Sequence, residues 1–242
     1  ALEEPPAGTV WILCAPSEAD MLPTIRSRVR RIALKTPAVE EVAELLVERD
    51  GIERTLAIKV AAEAQSHIGM ARRLATSADA RGRRRDTLMA ALEIDSVSSA
   101  IFTSERWLDL ARRDADALTA ERDAEERAEL LRVMGVEDTA KLPPYARADV
   151  KALEDSQKRR ATRSLRDGID RILVDLLSLY RDVLMLQLDA QVPMVNEDLR
   201  PQLLGIANRS TPQQTLFKLA QIELARTRIS ANVKDQMVMD AL

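Results

Sequence analysis

The residues best suited to chemistry lie near the start of the chain. Arg26, Arg28, Arg30 and Arg31 crowd around the segment Pro23-Thr24-Ile25-Arg26-Ser27-Arg28. A guanidinium offers fixed, permanently charged donors that match phosphate oxygens and compensate negative charge as it develops. On spacing alone, Arg28 is either such a phosphate-binding group or an ordinary surface arginine among flanking cations. Two further basic runs are Arg81-Gly82-Arg83-Arg84-Arg85 and Lys158-Arg159-Arg160 with Arg163 and Arg166. Both are basic enough to meet nucleic-acid phosphates. No aromatic residue interleaves in them for stacking on bases, so a charged linker and a solvated helix face are the competing readings.

Other chemistry finds little support. The sequence contains no glycine-rich phosphate loop, no His-Glu-x-x-His and no Gly-x-Ser-x-Gly. His67 is the single histidine, and it falls where a helix should start, so we expect a capping or solvated ring. Cys14 is the single cysteine, which excludes an intrachain disulfide and a cysteine-based zinc site. An unpaired thiol suits the cytosol. Ser66, Ser98 and Ser99 have no evident partner base, and the carboxylates alternate with arginine along helices as solvated faces do. On residues alone, the chain reads as a helical interaction protein.

The elements that hold these groups must be mostly helical. Aromatic residues make up 2% of 242 residues, so Leu, Ile, Val, Ala and Met must build the core. Few glycines and prolines, with abundant Ala, Leu, Arg and Glu, favour helix. The net charge of -3 gives no global case for nucleic-acid binding. No apolar run approaches the ~20 residues that cross a bilayer, and no charged-then-apolar signal segment opens the chain.

Residues 9–15, Thr-Val-Trp-Ile-Leu-Cys-Ala, have the look of a strand buried on both faces. Residues 29–34 suggest a second, more exposed strand. A lone strand needs a sheet to join, so we expect the rest of that sheet to lie upstream of Ala1. Thr36-Pro37 opens a helix with Val39, Val42, Ala43 and Leu46 on one stripe, closed by Asp50-Gly51. Two more short helices follow, the third starting after Gln65-Ser66-His67. Together they predict a small domain over residues 36–80, with 81–85 as a charged linker. The rest is helix. A highly charged stretch over 104–135 is broken by Pro143-Pro144. A very long helix over about 145–189 follows, with Ile169, Ile172, Leu173, Leu176, Tyr180, Val183 and Leu184 on a wide apolar stripe. Asn196 is expected to cap the next helix, and Thr211-Pro212-Gln213-Gln214 reads as a capping box for the last long one.

One segment is more specific. Leu2-Glu3-Glu4-Pro5-Pro6, then Thr9-Val10-Trp11-Ile12-Leu13, then Leu22-Pro23-Thr24-Ile25-Arg26-Ser27-Arg28 come in tight order. This resembles the AAA+ clamp-loader family of DNA polymerase III. In that family a Leu-Glu-Glu-Pro-Pro segment leads into the sensor-1 strand and then to a Pro-Thr-Ile-x-Ser-Arg-Cys motif. Val29 stands here where the family usually has cysteine. The resemblance implies a mostly α chain in three parts. Residues 1–35 would be the remnant of an α/β nucleotide-binding base with one or two strands. Residues 36–80 would be a three-helix lid. Residues 81–242 would be an all-α collar that joins subunits into a ring, carrying a long charged helical hairpin at about 104–166. That hairpin is longer than a plain collar requires and reads as an insertion, a docking surface or a solvated helical pair. The segment Leu177-Ser178-Leu179-Tyr180-Arg181-Asp182-Val183-Leu184 is similar to the collar helices of actinobacterial delta-prime subunits.

The resemblance also assigns roles. The arginine of the Ser-Arg-Cys motif, here Arg28 after Ser27, reaches ATP held by a neighbouring subunit. The family's sensor-1 threonines are replaced here by Ala15 and Pro16, whose side chains cannot hydrogen-bond. Gly69 stands where the lid's sensor-2 arginine belongs. Lost sensors with a retained trans-acting arginine resemble the delta-prime subunit, which supports hydrolysis by a neighbour. The implied partners are the gamma/tau and delta subunits through the collar. The sliding clamp and primed DNA would be met through the assembled complex, with no membrane. ATP and magnesium would be bound by neighbouring subunits, with no cofactor or metal in this chain and a cytoplasmic location. The alternatives are a gamma/tau-type motor ATPase with unusual sensors and a helical scaffold unrelated to replication.

Overall fold

The protein is described here by a computed structural model, which covers residues 7–15, 21–135 and 143–242. The chain divides into two units, Ala1–Ala38 and Val39–Leu242.

Among its described residues the first unit holds one short helix, α1 (Pro23–Arg26), with proline at its first turn. The strands expected over 9–15 and 29–34 do not form: among the described residues there is no β-ladder. Strand propensity reports fitness for a pleated, covered surface, and a strand exists only when a neighbouring backbone pairs with it. Here Val10, Trp11, Ile12 and Leu13 are exposed instead.

Among its described residues the second unit's regular structure is all helix, which is the mostly α architecture expected. It begins with α2 (Val39–Asp50), α3 (Arg54–Glu63) and α4 (Ile68–Thr76). Their apolar stripes meet in one core of small residues, with Val42, Leu46, Ala57, Val60, Ala61, Ala71 and Leu74 all buried. Small side chains let three short helices approach closely without aromatic filling. Gly51 lies at φ 66° and ends α2 in the left-handed region that glycine tolerates best. The Glu53 carboxylate accepts from the backbone N–H of Thr55 and Leu56 and caps α3. The imidazole Nδ1 of His67 accepts from the Met70 N–H at 3.1 Å, the capping role expected of it.

The expected linker over 81–85 is instead the interior of α5 (Ala78–Leu92). Ser77 caps this helix by accepting from the Ala80 N–H. Gly82 lowers helix propensity by only ~1 kcal/mol, and each of three arginines gains a partner by staying helical. Arg81 donates to the Leu74 and Ala75 carbonyls at the end of α4. Arg83 and Arg84 reach carboxylates on later helices.

The hairpin of α6 (Val97–Val133) and α7 (Pro144–Gln187) is the longest feature. At 44 residues, α7 spans about 66 Å. Ser96 and Ser99 form a capping box at the start of α6. After a single 3₁₀ turn at Glu197–Leu199 come α8 (Arg200–Ala207), α9 (Pro212–Ser230) and α10 (Asp235–Asp240). The Thr211–Gln214 capping box opens α9 as the sequence predicts. The body of this region packs the second half of α7 against α5, α6, α8 and α9, around Leu88, Leu108, Ile169, Leu173, Leu176, Leu179 and Leu203.

Candidate functional site

Arg28 follows α1 on a tight turn. The carbonyl of Thr24 organises that turn, accepting from Ser27 Oγ at 3.1 Å and from Arg28 Nη1 at 2.7 Å. Proline at the first helical position fixes the entry to α1, and the two side-chain bonds fix its exit. Arg28 is exposed. Arg26, Val29 and Arg30 beside it are exposed as well.

The other expected site positions fall on separate elements. Ala15 is exposed on the extended run that precedes Pro16, which lies outside the described residues. Gly69 is the second residue of α4 and also exposed; a Cβ built there would touch the His67 ring at 3.4 Å. The nearest arginine on that helix, Arg72, pairs with Asp50 at 2.9 Å. Among the described residues, no group of three or more His, Cys, Asp or Glu side chains is arranged to hold a metal ion.

Sequence reasoning missed a buried polar network in the second unit. Asp175, Ser178 and Asp182 sit at i, i+3 and i+7 on α7, facing inward within its apolar stripe, and all three are buried. Arg84 donates from Nε to Asp175 Oδ1 at 3.1 Å and through Nη2 to the Asn196 side-chain oxygen. Asn196, expected to cap the next helix, makes no side-chain cap bond and instead donates from Nδ2 to Ser178 Oγ and to Asp182. Asp182 also accepts the backbone N–H of Val195 and Asn196. Carboxylates spaced along an apolar stripe were the available signal.

A cavity of about 50 Å³ lies beside this network, lined by Arg73, Arg83, Arg84, Arg171, Asp114 and Asp175. It has room for ordered water and none for a nucleotide. Asp114 bridges Arg73 at 2.6 Å and Arg83 at 2.9 Å, joining α4, α5 and α6. Burial pushes the Asp175 carboxyl up to about 6, against the pull of Arg84 and Arg171. Burial raises Glu63 likewise, offset in part by Arg84 and Lys59. These carboxylates tie helices together through their arginine partners.

Two surfaces remain. An open groove runs between α7 and α9, lined by Val174, Leu177, Arg181, Leu216, Leu219 and Ala220. Next to it, Phe217 and Leu224 of α9 are exposed. The distal hairpin is zipped by ion pairs: Arg160 with Glu126 at 2.6 Å and Asp123 at 3.2 Å, and Arg127 with Glu154 at 2.7 Å.

The segment that holds Arg28 is the one that comparison with known families picks out. Residues 1–38 match the family described as DNA polymerase III, delta subunit. This supports a DNA polymerase III subunit of the clamp-loader type. The matched residues coincide with the first unit, so the clamp-loader likeness rests on the part that carries the Ser27-Arg28 turn. No curated protein and no solved structure matches the chain.

Proposed function

We propose that this chain is a delta-prime-type subunit of the bacterial DNA polymerase III clamp loader. It hydrolyses no ATP itself, assembles with its neighbours through helical surfaces, and presents Arg28 to ATP bound by an adjacent motor subunit. One observation carries the reading. The segment that matches the family contains the Ser27-Arg28 turn, with Arg28 exposed at its exit. Ala15 and Gly69, the described positions where nucleotide sensors belong by resemblance, have no side chain able to hydrogen-bond.

In this role the Arg28 guanidinium would donate to oxygens of the γ-phosphate and offset the charge that builds as the phosphoryl group leaves. Such a contribution is worth on the order of 10³ or more in turnover when supplied across an interface. ATP and magnesium would belong to the neighbour. The exposed apolar face of α9 with its groove against α7 is a suitable surface for a gamma/tau or delta subunit, because it presents Leu216 and Phe217 to solvent. The sliding clamp and primed DNA would be met by the assembled ring, in the cytoplasm.

The test mixes the intact protein carrying this sequence with motor and delta subunits. The expected result is a larger complex on gel filtration and faster ATP turnover than the motor shows without it. Solo turnover by this protein, or failure to join the complex, would contradict the proposal.

A further inference from the structure

The structure separates the two basic runs that look alike in the sequence. Within 81–85, Arg81 is committed to carbonyls, Arg83 to Asp114 and Arg84 to Asp175. Along α7 the division runs differently. Arg160 faces α6 and is held by Glu126 and Asp123. Lys151, Lys158, Arg159 and Arg163 are exposed, and among the described residues none of them has an ion-pair partner. At 3.6 residues per turn, Lys151, Lys158 and Arg159 fall on the side of α7 turned away from α6, and Arg163 flanks them. They extend over about 18 Å of a straight helix. Two carboxylates, Glu154 and Asp155, lie within this stretch; Glu154 pairs with Arg127 across the hairpin, and Asp155 stands one turn from Lys151, Lys158 and Arg159.

The strip's surroundings decide what it suits. No large hydrophobic side chain is exposed on the described part of α7 before Leu188. A protein interface gains most of its affinity from buried aromatic or aliphatic anchors, and a membrane-bound helix needs an apolar face. Single-stranded nucleic acid is held by stacking on aromatic rings, which this face lacks. What remains is a row of four cations that outnumber the carboxylates between them, suited to a regular line of phosphates and to no base-specific reading.

We propose that the outward face of α7, through Lys151, Lys158, Arg159 and Arg163, binds the phosphate backbone of duplex nucleic acid without sequence preference. The argument stands on this strip alone and does not depend on the role given to Arg28.

The test is fluorescence anisotropy of the chain with a mixed-sequence DNA duplex of about 25 base pairs, between about 50 and about 200 mM salt. Four phosphate contacts predict that log K falls against log salt with a slope of about -3.6. Changing Lys151, Lys158, Arg159 and Arg163 together to Gln should weaken binding at least tenfold at low salt and bring the slope close to zero. A control with Arg54, Arg85, Arg209 and Lys234 changed to Gln removes the same charge elsewhere on the surface. It should retain affinity within about threefold, the change expected from net charge alone. A flat salt dependence in the unaltered chain overturns the proposal and needs no variant. So does a strip variant that binds like the control. Polyglutamate binding as tightly as the duplex would assign the strip to an acidic protein and overturn it equally. Ring assembly and ATPase stimulation would be untouched by any of these results, so the clamp-loader reading is judged separately.

Discussion

Arg84 and Asp175 lie 91 residues apart in the chain and meet in its interior, Nε to Oδ1 at 3.1 Å. Arg84 is on α5 and Asp175 on the apolar half of α7, so this pair ties the two helices within the buried polar network that also holds Asn196, Ser178 and Asp182. Deleting one partner strands the other charge, at a cost of about 3–5 kcal/mol. Arg84→Met and Asp175→Leu should each destabilise the fold by that amount in urea titrations. The double variant should cost less than the sum, because no charge of the pair is then left uncompensated. An Arg84→Met protein within about 1 kcal/mol of the original would contradict the account, since surface pairs cost no more than that.

Two carboxyls should respond to pH in opposite directions. Asp175 is pushed up to about 6 from 3.8, chiefly by burial. The folded state therefore binds this proton more tightly than the unfolded chain. Its destabilising effect is complete above about 6 and is relieved as pH falls from about 6 to 3.8. Glu126 is held down at about 2 by its hydrogen bonds from Arg160 and Arg122. Its stabilising effect is present above 4.5 and is lost as pH falls towards 2. Carboxyl-carbon NMR titration should give midpoints near these two values, and an Asp175 midpoint below 4 would contradict the buried network.

Gly168 of α7 packs against Ala111 of α6. A Cβ there would stand 3.4 Å from Ala111 Cβ and 3.5 Å from its carbonyl oxygen, ordinary contact distances. Gly168→Ala should thus hold or raise stability, by up to about 1 kcal/mol from helix propensity. Gly168→Leu should force α6 and α7 apart and cost about 1–3 kcal/mol, the usual penalty of overpacking. Thermal unfolding of the two variants separates these outcomes.

Much of this fold could be read from local pattern. The Thr211–Gln214 box, the His67 cap, the Asp50-Gly51 stop and the Pro143-Pro144 break are encoded in a few adjacent residues, and each stands where local chemistry puts it. The failures are non-local. Residues 9–15 have strand character, but pairing depends on a second backbone that the segment itself does not encode. Arg81 to Arg85 look like a linker because their partners are carbonyls of the preceding helix and carboxylates 31 and 91 residues away. Asn196 looks like a cap because its four-membered network with Arg84, Ser178 and Asp182 forms only after α5 and α7 have packed. The role proposed for Arg28 rests on resemblance, since its spacing alone describes a surface arginine more readily.

The central claim is that Arg28 acts on a neighbour's ATP. Its most direct measurement compares Arg28→Ala with the unaltered protein in the reconstituted complex, reading assembly by gel filtration and turnover by phosphate release. The account predicts an intact complex whose stimulated ATPase falls by on the order of 10³ or more, the effect expected when a trans-acting arginine is removed. An Arg28→Ala protein that assembles and stimulates turnover as well as the original would contradict it.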